Sequence, residues 1–208
     1  GCQDKLRNAG VRSPGHAQVI ASILRERKIR RVLVPPNFPL GLARELRRLR
    51  ISVQPNRGNF FPQREQKRPA EIKKISAALM MAEVGMSEAM QVLRGSKIGR
   101  ERRLMHHNIP LTAEKLRAVI DTAILQAGGR AANTIVAGGK QGCDPHERGF
   151  GPLRAQEPII IDIFPRSQAT GYFGDITRTV VRGRASEEVR RLYETVRRGQ
   201  KIGFDKIR

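Results

Sequence analysis

The chain has 208 residues, enough for one domain or for a small domain with part of another. Its 40 Lys and Arg residues against 19 Asp and Glu residues give a formal net charge of +21, so contact with nucleic acid or another anionic surface has to be considered. No apolar run approaches the ~18 residues of a membrane span, which excludes membrane-spanning helices. Two cysteines are too few for a disulfide framework, and we therefore expect a cytoplasmic protein.

The first sixty residues alternate between helical and strand patterns. Apolar residues at helical spacing and short β-branched runs predict helix 16–28, strand 32–34, helix 40–49 and strand 51–53. This alternation is typical of an α/β layer, and two strands make an incomplete sheet. Proline and glycine between 54 and 69 predict a linker. We therefore expect one domain over 1–60 and a second over 61–208.

The second domain is predicted to mix long helices with strands. Pro69 suits the first turn of a helix, and Thr112 and Ser186 are candidate N-caps of two more. The predicted elements are helix 69–93, helix 112–125, strands 134–136, 159–161 and 172–181, and helix 186–196. The chain as a whole is predicted to be of the mixed α/β (α+β) class.

Two carboxylates enter this apolar framework. Asp162 ends the apolar run that starts at Ile159, and Asp175 lies inside the next predicted strand. Burying a carboxylate is costly unless a cation, a metal or several donors compensate its charge, so the pair is a candidate metal or acid–base site. The alternative stays open: Asp162 as a turn residue, and Asp175 in a surface ion pair with Arg178.

Several segments together resemble the pita-bread metallopeptidases, the family of methionine aminopeptidases, Xaa-Pro aminopeptidases, prolidases and creatinases. The segment from Gly171 to Thr179 carries the most specific part of the likeness. Further matches are Ala137-Gly138-Gly139, Pro145-His146, Ile159 to Asp162, the Arg64, Lys67, Glu71 and Ile72 pattern, and Pro36 to Leu40. The last of these resembles the amino-terminal domain of the Xaa-Pro and creatinase branch. The likeness implies an incomplete pita-bread catalytic domain, preceded by the carboxy-terminal remnant of a creatinase-type amino-terminal domain.

The resemblance also implies a reaction and a site. In this family two divalent ions, commonly manganese or cobalt, hold a bridging water and clamp the reacting carbonyl. By motif position Asp162 and Asp175 would be metal ligands, and His146 the group that contacts substrate or moves a proton. Thr177 would hold Asp175 in position without binding the metal itself. The implied substrate is a peptide with proline at its second position; a homodimer is left open.

Two departures from the family pattern affect these expectations. Asp162 and Asp175 are 13 residues apart, two more than is usual, but an even insertion in a hairpin can keep both side chains on one face. The family also completes its site with a histidine and two glutamates far downstream, and no histidine follows Asp175 here. Glu187, Glu188 and Glu194 are interpreted as a solvated helix face. We therefore expect an incomplete metal site and a chain that is inactive alone.

Two other functions are weighed against the peptidase. Some pita-bread proteins bind the ribosome or nucleic acid without metal, and the charge of +21 favours such a binding protein. The presence of Asp162, Asp175 and His146 in register, with few aromatic residues for base stacking, favours the peptidase. A creatinase-type amidinohydrolase, which shares the scaffold, ranks third.

Overall fold

The computed structural model describes residues 2–8 and 10–207, which form two compact units, 1–66 and 67–208. Within the first unit the elements are α1 Cys2–Asn8, α2 His16–Glu26, β1 Arg31–Val34, α3 Leu40–Arg48 and β2 Ser52–Pro55. β1 and β2 form a parallel pair in which Val32 lies opposite Val53. The small core gathers Ala21 from α2 and Leu46 from α3 beneath this pair. The predicted α/β layer is confirmed, and α1 was not predicted.

The second unit contains the remaining helices and strands. Its elements are α4 Pro69–Gly95, β3 Lys97–Ile98, β4 Leu104–His106, β5 Ile109–Pro110, α5 Ala113–Gln126, β6 Gly129–Arg130, β7 Ile135–Gly138, β8 Pro158–Ile163, β9 Arg166–Ser167, β10 Ile176–Val181 and α6 Glu187–Lys206. β10, β8 and β7 form an antiparallel three-stranded sheet in that order. All the long predicted helices are present. The two-residue strands are too short to leave a period in the sequence.

Two helices cover one face of this sheet. α4 begins with Pro69, and the Glu71 carboxylate accepts a hydrogen bond from the Arg68 amide at 3.0 Å, which caps the helix. Thr112 caps the start of α5, because its hydroxyl accepts a hydrogen bond from the Lys115 amide. A Cβ on Gly85 of α4 would lie 3.0 Å from the Ile124 side chain of α5, so the small residue lets the helices approach closely.

The core lies between these helices and the sheet. Ile159, Ile161 and Ile163 of β8 have no exposed surface, and they pack with Leu116 and Ile120 of α5. Residues alternate across a strand, so the intervening positions of β8 point to the other face. That second face carries Asp162.

The last helix differs from α2, α3, α4 and α5 because none of its residues is buried. Most of its apolar side chains remain exposed, with Leu192 at 66% and Val196 at 63% of their full surface. No helix in the described ranges 2–8 and 10–207 is long and apolar enough to cross a membrane.

Candidate active site

Asp162 occupies the fifth position of β8, on the face turned away from the core. Its neighbours along the strand, Ile161 and Ile163, are fully buried, whereas Asp162 itself is half-buried. The register places Asp162 opposite Thr177 of β10 and opposite Ile135 of β7. Main-chain pairing on both sides therefore determines the position of this carboxylate.

Asp175 lies one residue before β10, and its carboxylate is close enough to Asp162 for their charges to interact. It precedes Thr177 by two residues, which is the spacing of side chains on one face. Although much of Asp175 is exposed, partial desolvation of its carboxylate raises its pKa, and the negative charge of Asp162 raises it further. Two like charges held together in this way create a place where a cation is stabilised.

The longer connection between the two carboxylates is not a simple hairpin turn. Between β8 and β10 the chain forms β9, which pairs with β6, and Arg166 bridges back to Phe173. The guanidinium of Arg166 also lies 6.0 Å from the centre of the Phe173 ring. The connection thus leaves the sheet and returns to it. Thr177 and Asp162 end up opposite each other, with their side chains on the same face of the sheet.

Gly174 is seated directly on the backbone of α4. A Cβ at this position would overlap the Ala78 carbonyl and lie within 2.6 Å of the Leu79 Cα, so only glycine fits. This contact explains why the strand predicted over 172–181 begins at Ile176: residues 172–175 are a loop pressed against the helix. The loop delivers Asp175 to the start of β10.

The Thr177 hydroxyl donates a hydrogen bond to Oδ1 of Asp162 at 2.5 Å. The sequence-based expectation assigned this hydroxyl to Asp175 instead. The register explains the difference, because Thr177 lies directly opposite Asp162, where side chains on one face meet across the strands. A neutral donor on one oxygen orients the carboxylate and leaves its other oxygen available.

A contact that no sequence pattern predicts joins the loop before Asp175 to the start of α4. The Tyr172 hydroxyl donates to Oε1 of Glu71 at 2.7 Å. The pKa of Glu71 lies below its ordinary value because hydrogen bonds stabilise the ionised carboxylate. The Arg68 amide contributes most, and the Tyr172 hydroxyl contributes next. The two residues are 101 positions apart, and only the family likeness had drawn attention to both segments.

His146 lies on an exposed loop between the short helical turn Gly139–Cys143 and β8. Its backbone amide donates to Oδ1 of Asp144 at 2.8 Å. Within the described residues, no hydrogen bond or ion pair joins its imidazole to Asp162 or Asp175. The structure thus brings the two carboxylates together and leaves His146 to be placed by its loop. Glu114, Arg117 and Gln141 bind that loop, and no sequence pattern predicted these contacts.

The donor set determines which ions this face can accommodate. In residues 2–8 and 10–207 no group of three or more His, Cys, Asp or Glu side chains is arranged to hold a metal. Glu187 and Glu194 form ion pairs on α6 with Arg191 and Arg197, as expected of a solvated helix face. The carboxylates of Asp162 and Asp175 provide hard oxygen ligands that suit one divalent cation, and they are too few for two.

The sequence comparison identifies the class of protein. Residues 73–208 match the model of metallopeptidase family M24, and this match covers more than half of the chain. The chain belongs to metallopeptidase family M24. In the curated proteins it is similar to the probable dipeptidase PepE of Mycobacterium tuberculosis, with 33% identity over 100 residues, 47% of this chain and 26% of the relative.

Solved structures agree on the fold. The X-Pro aminopeptidase of Thermotoga maritima superposes with a TM-score of 0.75 at 22% identity, over 92% of this chain and 51% of that protein. The prolidase of Pyrococcus furiosus gives a TM-score of 0.69 at 19% identity, over 91% of this chain and 52% of that one. The chain thus has the pita-bread architecture, and it spans about half the length of these structures and about a quarter of the curated relatives it matches.

Proposed function

We propose that the chain contributes the carboxylate half of the metal centre of an Xaa-Pro peptidase. The observation that carries the proposal is the arrangement of Asp162 and Asp175, whose charges interact on the face of the sheet turned away from the core. The names of the similar structures, an X-Pro aminopeptidase and a prolidase, support the choice of substrate. We further propose that residues 1–60 are the end of a creatinase-type amino-terminal domain and residues 61–208 the first half of the catalytic domain.

The proposed roles follow from the chemistry of each group. Asp162 and Asp175 bind divalent cations, with Mn²⁺ or Co²⁺ as the expected ions. Thr177 orients Asp162 through the hydrogen bond to its Oδ1. When bound, the metal centre supplies an activated water and polarises the scissile carbonyl. His146 contacts the peptide or moves a proton at the leaving amine, a role that suits an imidazole near neutral pH.

The chain alone is proposed to be inactive towards Xaa-Pro peptides, because the two carboxylates are too few to hold a dinuclear centre. Mn²⁺ binding, measured by electron paramagnetic resonance and calorimetry, tests the carboxylate half directly. We expect about one bound ion per chain, and loss of that binding in Asp162→Asn and in Asp175→Asn. Glu194→Gln on α6 is the matched control, since it removes one carboxylate outside the site. Equal Mn²⁺ binding by all four proteins would refute the proposal.

Catalysis is tested separately by following proline release from Xaa-Pro dipeptides and N-terminal residue release from longer Xaa-Pro peptides, with Mn²⁺ present. We expect no turnover above that of the Asp162→Asn variant. Metal-dependent release by the unmodified chain would show that it is active alone. Release from peptides that lack proline, with none from Xaa-Pro peptides, would contradict the substrate assignment.

A second candidate function, binding of nucleic acid, is favoured by the exposed arginines of α3. Arg44, Arg47 and Arg48 all lie on the exposed side of this helix. One of them has a structural task as well, because Arg47 donates to the Val53 carbonyl at 3.0 Å. Affinity for a random duplex that falls steeply with added salt, together with no Mn²⁺ uptake, would favour this function over the peptidase.

A further inference from the structure

The loop that carries His146 is pressed tightly against the edge of the sheet. We name residues 144–151 the His146 loop. Gly149 has φ +78°, and a Cβ there would overlap the Val136 carbonyl of β7 and lie within 2.6 Å of its carbon. The Val136 amide donates to the Arg148 carbonyl at 3.0 Å. The backbone of Arg148 and Gly149 is therefore in direct contact with β7.

Two side chains of α5 bind the same backbone. Nη1 of Arg117 donates to the carbonyl of Arg148 and, at 2.8 Å, to the carbonyl of Gly149. One turn earlier, Oε1 of Glu114 accepts from the Gly151 amide at 3.0 Å. Residues three apart lie on one side of a helix, so both groups reach the loop together. Hydrogen bonds that involve a charged group are stronger than neutral ones.

A third side chain binds the loop between the residues that Arg117 and Glu114 contact. Gln141, in the turn after β7, donates from Nε2 to the Phe150 carbonyl and accepts from the Phe150 amide on Oε1, both at 3.0 Å. The side-chain amide thus imitates a neighbouring strand. Together with Arg117 and Glu114, it makes bonds to four consecutive residues, 148–151.

We propose that Arg117, Glu114 and Gln141 are positioning residues for His146. The proposal rests on the function proposed above for that histidine. The imidazole is exposed and, in the described part of the chain, no hydrogen bond orients it, so the loop backbone determines its position. A displacement of about 1 Å at a reacting group lowers the reaction rate strongly. Three side chains that bind so short a loop keep the position of His146 within that limit.

Nuclear magnetic resonance of the whole chain tests this proposal without relying on activity. The variants are Arg117→Ala and Arg117→Lys, and the matched control is Lys115→Ala. Lys115 lies on the same helix, and its ammonium group donates to the Pro110 carbonyl at 3.0 Å. Lys115→Ala therefore also removes one positive charge and one hydrogen bond to a backbone carbonyl, but away from the His146 loop. The readouts are amide hydrogen exchange and the ring resonances of His146.

In Arg117→Ala we expect roughly tenfold faster exchange of the Phe150 and Gly151 amides, which corresponds to the loss of one or two hydrogen bonds. The His146 ring resonances should shift or broaden, while the Ile161 amide of β8 stays as protected as before. Arg117→Lys should restore part of the protection, because both bonds leave from a single nitrogen that an ammonium group can imitate. Lys115→Ala should change neither readout.

The inference is overturned if Arg117→Ala leaves the His146 resonances unchanged, even when exchange in the loop quickens, or if Lys115→Ala perturbs them equally. If Arg117→Ala does not fold, Gln141→Ala provides the same readouts from a side chain at the surface of the unit. Added Mn²⁺ separates this inference from the proposed function. If the chain binds no Mn²⁺, the proposed metal site is refuted. The hydrogen-exchange and ring-resonance measurements still decide whether Arg117 positions His146.

Discussion

The two halves of the candidate site are held by different kinds of contact. Asp162 is fixed by main-chain pairing, with Thr177 on one side and Ile135 on the other. His146 stands on a loop whose position depends on side chains from α5 and from the turn after β7. Single side-chain substitutions should therefore move the imidazole more easily than the carboxylates. Only changes to the backbone contacts should displace the carboxylates.

The largest effect is expected from Gly174→Ala, which attacks the backbone contact of the carboxylate half. The new Cβ would collide with the Ala78 carbonyl of α4, a backbone atom that cannot move aside. We expect a loss of about 3 kcal/mol in the free energy of unfolding, together with weaker Mn²⁺ binding. Urea denaturation monitored by circular dichroism measures the first effect.

Gly199→Ala is the control for this prediction. Gly199 is a helical glycine of α6 with nothing within 4 Å of an added Cβ, so its substitution should cost no stability. Equal denaturation midpoints for Gly174→Ala and the unmodified chain would show that Asp175 is not anchored through α4.

Thr177→Val should have a smaller effect, limited to the orientation of Asp162. Valine keeps the shape and the strand preference of threonine but removes the donor to Oδ1. We expect roughly tenfold weaker Mn²⁺ binding with little change in unfolding, as is typical for loss of a group that orients a metal ligand. Calorimetric titration measures it. Thr177→Ser should bind as the unmodified chain does; if Thr177→Val does so too, the hydroxyl has no such role.

What the sequence could predict differs between these two halves for a physical reason. The strands and helices around Asp162 and Asp175 leave local periodicities in the sequence. The parity of the insertion between them applies to a hairpin, whereas the connection leaves the sheet to form β9, so parity alone does not determine the faces of the two residues. The contacts of Gly174 with α4 and of Arg117 with the His146 loop join segments that are far apart in the chain. Such contacts depend on how elements pack, and no local pattern encodes them.

The same reasoning explains the individual differences. Thr177 was expected to support Asp175, its neighbour along the strand, whereas its partner across the sheet is Asp162. The roles of Asp162, Asp175 and His146 in catalysis came from the family resemblance and remain predictions. The structure adds the register that brings the two carboxylates together.

Tyr172→Phe tests the link between the loop before Asp175 and α4. A lowered Glu71 pKa stabilises the fold above the ordinary carboxyl pKa, and this contribution is lost as the pH falls through the folded-state value. Removing the Tyr172 hydroxyl should raise the Glu71 pKa only in part, since the Arg68 amide contributes more. We therefore expect a modestly lower unfolding midpoint at pH 7, and a difference that shrinks as the pH falls below the ordinary carboxyl pKa and disappears once the pH is below the folded-state pKa of Glu71.

Tyr193→Phe is the control, because the exposed Tyr193 of α6 is the other tyrosine of the chain. Its midpoint should follow that of the unmodified chain at every pH. A difference for Tyr172→Phe that persists undiminished at low pH would mean that the hydroxyl acts through something other than the ionised Glu71.

The smallest expected effect concerns the charge interaction between the two carboxylates. In the metal-free chain, Asp162→Asn should lower the Asp175 pKa, because it removes the repelling charge, but not to the ordinary value, because the larger effect of desolvation remains. A raised folded-state pKa gives stability at pH values below the unfolded pKa, and that stability is lost as the pH rises through the folded value. The variant should therefore lose less stability than the unmodified chain as the pH rises from the ordinary carboxyl pKa through the raised folded-state pKa of Asp175. Carboxyl-carbon resonance titrations measure the shift, with Glu194→Gln as the control. An Asp175 pKa that does not respond to Asp162→Asn would mean that the two groups are too far apart to share a cation.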